Sequence, residues 1–295
     1  MPIVPPNRCQ LTMLNSMGGR DFAQALDRHV EWGIRILDLK DSIFGKGVID
    51  LTDEELPRAK LLIDQRGLRT YCLSTALFHG EIEQGDEAFV RESIAKVDRA
   101  IEIARVLRPR FIRLLAAQTR SRRQITHATQ YLRANCPWVI PAYRAAVERI
   151  HAAGFEATIE NEVGGCIWSR PQEVLSFFDE LGLSEAVSFT WDIQNLWQMG
   201  TPPSLEVYEA LKPMIGFVHV KGGQSQTPLG PLKWSSALAD ASWPVVEILR
   251  KVVADGVTDA ICVNPSHGAA KPGYDYSNVH KRDIDFLRRE IPEIE

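Results

Sequence analysis

The spacing of apolar residues along the chain predicts eight β-strands. Short runs of β-branched and aliphatic residues recur at intervals over almost its whole length, and runs of this size and composition are typical of buried strands. The predicted strands cover residues 10–14, 34–39, 68–73, 111–115, 155–159, 186–191, 215–220 and 260–263.

Between the strands, apolar residues recur at steps of three and four, which is the period of an amphipathic helix. The predicted helices cover residues 21–32, 54–66, 86–107, 141–153, 171–181, 204–211, 244–254 and 277–290. Strands and helices therefore alternate along the chain, which is the pattern of an α/β fold.

The connections between these elements differ in length. Helices end on Gly33, Gly67 and Gly154 immediately before the next strand, and glycine at that point allows the left-handed conformation that closes a helix. The segments that follow strands are longer and irregular. Examples are residues 74–84, 116–137 and 221–242. This asymmetry is typical of a (β/α)8 barrel whose active site is built from the loops after the strands.

We therefore predict an α/β fold, a single (β/α)8 TIM barrel that forms one domain over residues 1–295. No linker rich in proline, glycine or serine suggests a second domain. A doubly wound open sheet is the structural alternative. No Gly-x-Gly-x-x-Gly sequence follows the first predicted strand, and this disfavours dinucleotide binding.

Composition narrows the choice of partners. The 295 residues carry 34 basic and 38 acidic side chains, so the net charge of -4 gives no attraction to nucleic acid or to an anionic membrane. No run reaches the ~18 apolar residues that a membrane span needs, and the first residues lack a signal-peptide pattern. The five scattered cysteines lack the spacing of zinc or redox motifs and indicate a reducing compartment. We expect a cytoplasmic protein.

Polar residues at the ends of three successive predicted strands are the main candidates for chemistry. Glu160 and Asp192 directly follow the fifth and sixth strands, and His219 lies near the end of the seventh. The carboxyl ends of barrel strands direct such residues to a common mouth. Taken singly, each is more often a surface group, a helix cap or a core histidine. Together, two carboxylates and an imidazole predict a site for Mn²⁺, Mg²⁺, Co²⁺ or Zn²⁺.

Other candidates for substrate contact lie at strand ends or in the loops beyond them. They are Lys40, His79, Arg113, Trp168, Asn195, Trp197 and Trp234. Lys221 lies two residues after His219, so strand alternation sends both side chains to one face, where an ammonium would stabilise an enolate. For each of these residues an ordinary surface or packing role is the alternative.

Three sequence motifs resemble those of a known family. They are Ile159-Glu160-Asn161, Trp191-Asp192-Ile193-Gln194-Asn195 and Val218-His219-Val220-Lys221. With the order of alternating elements, they make the chain similar to the sugar phosphate isomerase/epimerase superfamily, the xylose-isomerase-like TIM barrels. The resemblance implies that Glu160, Asp192 and His219 are metal ligands.

The chain departs from this family's pattern at the last strand. Members with a two-carboxylate site usually carry a second Glu there, whereas this chain has Asn264. An amide oxygen can ligate a hard cation as a fourth ligand, but a neutral amide cannot act as a general base. Glu160 is then the first candidate base, with His267 in the following loop or His79 as alternatives. Asn195 stands where ketose 3-epimerases carry a His.

These features predict a metal-dependent isomerase, epimerase or related lyase, such as a dehydratase. Its substrate would be a small polyhydroxylated carbonyl compound, a sugar, keto-sugar or cyclitol, that reacts through an enediolate. A non-catalytic sugar-binding barrel is one alternative. An endonuclease IV-like phosphodiesterase is another, although it would need several more histidines at strand ends. Arg120, Arg122 and Arg123 would attract an anionic substrate or meet acidic residues of another subunit in a homo-oligomer.

Overall fold

The computed structural model describes residues 9–233, 237–264 and 276–295, and its strands form one parallel sheet. The strands are β1 (Gln10–Thr12), β2 (Ile36–Leu39), β3 (Arg69–Leu73), β4 (Phe111–Leu115), β5 (Glu156–Glu160), β6 (Val187–Asp192), β7 (Ile215–Val220) and β8 (Ala260–Val263). Each lies within a predicted strand or extends it by one residue. From β2 to β8, each strand pairs with its neighbours in sequence, and β8 also pairs with β1.

The sheet closes on itself between β1 and β2. The Asp38 N–H donates to the Met13 carbonyl oxygen at 3.3 Å, and Leu14 and Asp38 form a parallel bridge. A doubly wound sheet would reverse its strand order, whereas this order runs once around a ring. The prediction of a (β/α)8 barrel is therefore confirmed.

Helices surround the strands. The described helices are α1 (Phe22–Glu31), α2 (Glu55–Asp64), α3 (Asp86–Leu107), α4 (Ala128–Asn135), α5 (Val139–Ala152), α6 (Pro171–Leu181), α7 (Ile193–Gln198), α8 (Leu205–Leu211), α9 (Val245–Asp255) and α10 (Tyr276–Glu290). All eight predicted helices are present to within two residues at each end, whereas α4 and α7 were not predicted. No helix of the described residues is both long enough and apolar enough to span a membrane.

The turns from helix to strand have the predicted conformation. Gly33 and Gly154 lie between a helix and the following strand with φ angles of 73° and 85°. A side chain at these positions would strain the left-handed backbone. The short turns keep each helix packed against its strand and leave the long segments at the opposite end of the barrel.

An apolar cluster fills part of the barrel interior. Its members are Leu14, Ile36, Tyr71, Cys72, Phe111, Phe217, Ala260 and Cys262. The ring of Phe217 lies 5.1 Å from that of Tyr71 and 6.2 Å from that of Phe111, between centroids. Its other neighbour is the His219 imidazole, 4.8 Å away and nearly perpendicular at 88°. The aromatic rings thus form a floor beneath His219.

The five cysteines give a direct test of the packing, because all are buried and unpaired. Burial raises the pKa of Cys9 and of Cys166 to about 12, and that of Cys262 to about 11, so none is a thiolate at neutral pH. We expect negligible reaction of the native protein with a thiol reagent such as DTNB, and five equivalents after denaturation. Rapid reaction of a native thiol would contradict this packing.

Candidate metal centre

Three potential metal ligands converge at the carboxyl ends of neighbouring strands. Glu160 and Asp192 are the last residues of β5 and β6, and the register of β6 with β7 pairs Asp192 with His219. One ligand atom from each residue lies within 4.8 Å of the others, and all three side chains are buried. The structure thus brings together the residues that the sequence singled out.

The donor atoms are suitably spaced for a divalent cation. His219 Nδ1 lies 3.1 Å from Glu160 Oε1. Metal–ligand bonds of ~2.0–2.2 Å place adjacent ligand atoms roughly 3 Å apart. His219 Nδ1 and the amide oxygen of Asn264 are buried without a hydrogen-bond partner among the described residues. A cation bound between the three ligands would satisfy His219 Nδ1, and Asn264 lines the same cavity as Glu160, so the residues present fit a metal.

Arg113 on β4 balances the charge of Glu160. Its Nη1 lies 2.5 Å from Glu160 Oε2, and its Nη2 donates to the backbone carbonyl oxygens of Ser74 and Thr75 at 3.1 Å. Burial by itself disfavours the carboxylate, but Arg113 and then His219 outweigh burial and hold the pKa of Glu160 well below its ordinary value. Glu160 is therefore ionised, with one oxygen on Arg113 and the other beside His219.

Lys221, just beyond β7, balances Asp192. Its Nζ lies 2.5 Å from Asp192 Oδ2 and donates to Asn195 Oδ1 at 3.1 Å. Burial disfavours the ammonium, but Asp192 and then Glu160 outweigh burial and hold the pKa of Lys221 above its ordinary value. A cationic lysine therefore lies beside the candidate ligands.

Asn161 fixes the ends of β5 and β6 relative to each other. Its Nδ2 donates to the Asp192 carbonyl and its Oδ1 accepts from the Asp192 N–H, both at 2.9 Å. The Asn161 carbonyl accepts from Asn195 Nδ2 at 2.9 Å. These paired hydrogen bonds hold Asp192 in place, although the sequence indicated Asn161 only as part of a motif.

A cavity of about 200 Å³ lies next to this cluster, and Glu160, Asn195 and Lys221 line it. Most of its lining residues have polar side chains. It is lined by Leu14, Lys40, Arg113, Glu160, Glu162, Val163, Gln194, Asn195, Gln198, Lys221 and Asn264. A larger cavity of about 590 Å³ lies among residues at the amino ends of strands, such as Arg69 and Arg110. We place the candidate site in the smaller cavity, because the active sites of TIM-barrel enzymes lie at the carboxyl ends of the strands.

The comparison with protein families agrees with this geometry. A family model described as xylose isomerase-like TIM barrel matches residues 20–289. The chain belongs to this family. The resemblance inferred from the three motifs is therefore confirmed, and no curated protein matches the chain by sequence.

Solved structures of similar fold match nearly the whole chain at low identity. A xylose isomerase-like TIM barrel protein from Mycobacterium smegmatis in complex with magnesium is 16% identical, with a TM-score of 0.68, over 97% of this chain and 96% of its own. The probable 3-DHS dehydratase AsbF from Bacillus anthracis is 13% identical, with a TM-score of 0.70, and the match covers 94% of this chain and 98% of that protein. D-Psicose 3-epimerase from Clostridium cellulolyticum H10, in a structure with D-tagatose, is 12% identical, with a TM-score of 0.71. The match covers 95% of this chain and 99% of that protein. At these identities the likeness shows a shared fold.

Several predicted substrate contacts of this family member lie away from the cavity. His79 is exposed in the loop after β3. Trp168 is fully buried with its ring 4.9 Å from that of Phe177, and Trp197 packs 5.4 Å from Trp243. Lys40, Arg113 and Asn195, by contrast, line the cavity. Trp234 and His267 lie outside the described residues.

Arg120 and Arg122, in the loop after β4, pair with acidic residues of the same chain. Arg120 Nε donates to Glu81 at 2.6 Å, and Arg122 Nη2 lies 2.9 Å from Glu173. The Arg122 pair is largely buried and joins the loop after β4 to α6, so it has a structural role.

Sequence reasoning missed two carboxylates. Asp38, in the middle of β2, is fully buried with Oδ2 3.2 Å from His219 Nε2. The sequence contains a clue to this residue, because Asp38 interrupts the apolar run Ile36-Leu37-Asp38-Leu39, and a charged side chain in a buried strand needs a partner. Glu162 lines the cavity two residues after Glu160, on a segment whose path the sequence did not specify.

Asn264 offers a test of the centre by substitution in two directions. Asn264→Leu removes the unpartnered amide oxygen, so we expect the Kd for Mn²⁺ to rise roughly tenfold, about 1.4 kcal/mol. Asn264→Glu supplies a charged oxygen, so the Kd should fall. Isothermal titration of the metal-stripped protein measures both. Equal affinities for wild type and both variants would leave Asn264 a packing residue.

Proposed function

We propose that this chain is a divalent-metal-dependent isomerase, epimerase or dehydratase of a small polyhydroxylated carbonyl compound. The observation that carries the proposal is the convergence of Glu160, Asp192 and His219 at the carboxyl ends of the strands, next to a cavity that Glu160 and Asn264 line. These four residues would hold the metal. When bound, the metal would act as a Lewis acid toward neighbouring hydroxyl and carbonyl oxygens.

The similar structures support this reaction class. One is described as a probable 3-DHS dehydratase, one as a 3-epimerase with a ketose, and one holds magnesium. Epimerisation and isomerisation both begin when a base removes a proton from the carbon beside a carbonyl group. Dehydration next to a carbonyl can begin in the same way. The three reactions therefore share the formation of an enediolate, and a substrate screen can identify the sugar.

Lys221 is placed to stabilise the enediolate. Its ammonium lines the cavity and is held by Asp192 and Asn195, so it is oriented before substrate arrives. A fixed cation lowers the energy of negative charge that develops on a substrate oxygen. Asp192 and Glu160 keep Lys221 protonated, and its proposed role is electrostatic.

The base in this proposal is Glu162, because the other carboxylates are engaged. Glu160 has one oxygen on Arg113 and the other beside His219, whereas Glu162 accepts only from the Val163 N–H, at 3.3 Å, among the described residues. Glu162 is partly exposed and lines the cavity. It can therefore reach a substrate proton without leaving a buried charge unpaired.

In the proposed step, the Glu162 carboxylate accepts the proton of the carbon beside the substrate carbonyl. The electron pair of the broken C–H bond forms the C=C bond of the enediolate, and the carbonyl oxygen takes up the negative charge near Lys221. A proton delivered from solvent to the opposite face of the same carbon gives an epimer, and Glu162 then loses its proton to solvent. Return of the Glu162 proton to the former carbonyl carbon, with the proton of the adjacent hydroxyl group passing to the first oxygen, gives an isomer. Loss of the hydroxyl group from the next carbon, which takes the Glu162 proton and leaves as water, re-forms the carbonyl group and gives the dehydrated product.

A screen for solvent-deuterium incorporation tests the function. Ketoses, cyclitol ketones and their acids are incubated in D₂O with protein and Mn²⁺, and mass spectrometry records exchange of one C–H. We expect exchange with at least one compound, its loss on chelation, and its loss in His219→Asn, which removes a ligand. Exchange that survives chelation would contradict the metal requirement. Tight sugar binding without any exchange would favour a non-catalytic sugar-binding barrel.

The role of Glu162 is tested on the compound that this screen identifies. Glu162→Gln keeps the shape of the side chain but removes the base, so exchange should fall by about 100-fold or more, with the Kd for Mn²⁺ nearly unchanged. Glu156→Gln is the matched control, since Glu156 is exposed at the opposite end of β5. Full exchange in Glu162→Gln would return the base assignment to Glu160 or His267.

A further inference from the structure

The His219 imidazole lies between two carboxylates. Nδ1 faces Glu160 Oε1 at 3.1 Å, on the side of the cavity, and Nε2 faces Asp38 Oδ2 at 3.2 Å, on the opposite edge of the ring. The ring is fully buried, and its contact with Phe217 supports it from below. The two nitrogens therefore have different surroundings, and only Nδ1 faces the other candidate ligands.

Asp38 is itself held in place by its neighbours. Its Oδ1 accepts a hydrogen bond from the Ser74 hydroxyl at the end of β3, and its backbone N–H takes part in closing the barrel. Its Oδ2 is buried without a hydrogen bond among the described residues, although it lies close to His219 Nε2. A buried carboxylate oxygen in this state requires a donor, and the imidazole N–H is the group within reach.

We propose that Asp38 is a positioning residue that holds the Nε2 proton of His219 and so leaves the Nδ1 lone pair for the metal. A neutral imidazole carries one N–H, and the partner of one nitrogen determines which nitrogen is free to ligate. Carboxylates beside ligating histidines commonly fix the tautomer and the ring orientation in this way. The inference rests on the metal site of the proposed function and extends it to a residue outside the ligand set.

A second metal on the Asp38 side of the ring is the competing reading, because Asp38, His219 and Cys262 also bring three potential ligand atoms within 4.8 Å. The surroundings favour a positioning role. Glu160 and Asn264 line the cavity whereas Asp38 and Cys262 do not, so the Glu160 side of the ring is the side nearer the cavity.

Metal affinity gives the first test. Asp38→Asn retains the shape of the side chain but weakens the acceptor, and loss of such a partner typically weakens metal binding about 10- to 100-fold. Asp283→Asn is the matched control, since Asp283 is an equally buried aspartate on α10 outside the cluster, and its Kd for Mn²⁺ should stay within about twofold of wild type. If Asp38→Asn and wild type bind Mn²⁺ equally well, the role of Asp38 is overturned but the metal site is not. A wild type that binds no divalent metal would overturn both the inference and the metal site on which it rests.

Nuclear magnetic resonance gives a second test that needs no folded Asp38 variant. Wild-type protein labelled with ¹⁵N-histidine and loaded with diamagnetic Zn²⁺ is compared with His219→Asn, which identifies the His219 signals. We expect Nε2 to carry a proton and Nδ1 to show the shift of a metal-bound nitrogen. Metal on Nε2, or a proton on Nδ1, would overturn the proposal whatever the affinity of the variants.

Discussion

Charge balance inside the barrel is the constraint on which the candidate centre depends. Asp38, Glu160 and Asp192 are each at most 2% exposed, and an isolated carboxylate in such surroundings costs several kcal/mol. The sheet supplies cations from neighbouring strands, with Arg113 from β4 beside Glu160 and Lys221 from the end of β7 beside Asp192. Removing one member of a buried pair costs about 3–5 kcal/mol, so these side chains form a unit in which each depends on its partner. The aromatic floor beneath His219 excludes water from one side of the cluster, so the buried carboxylates depend more strongly on their cationic partners.

Asp192 shows how one side chain links this unit to the fold. Its Oδ1 accepts from the Asn195 N–H at 3.0 Å and so caps α7, while its Oδ2 faces Lys221 and the other candidate ligands. A capping carboxylate at a helix start is stabilising because it satisfies a free N–H group. The helix in turn carries Asn195 back to Lys221, which closes a ring of contacts around the lysine. The geometry of the centre is therefore fixed by local backbone structure as well as by charge.

The sequence predicted the elements well because apolar runs and helical periods are local signals. The strands that carry Glu160, Asp192 and His219 were found in this way, and the barrel then required their ends to meet. Two helices escaped prediction. The six-residue α7 is too short for a periodic pattern, and α4 begins without a side-chain cap inside a long loop. Contacts between distant strands escaped as well: the approach of Asp38 on β2 to His219 on β7 depends on barrel closure, which no local pattern records.

The neutral side chain of Asn264 affects the net charge of this cluster. With His219 as a metal ligand, and therefore a neutral imidazole, three buried carboxylates face two permanent cations, so the side chains of the cluster would carry one negative charge. A bound divalent ion would reverse the sign and leave one positive charge, which the negative charge of an enediolate would neutralise. A glutamate at position 264 would instead bring the metal-bound cluster to neutrality before the reaction began. The amide would therefore leave a net positive charge beside the substrate oxygen on which negative charge develops when Glu162 takes the proton, and stabilisation of that charge accelerates the chemical step rather than substrate binding.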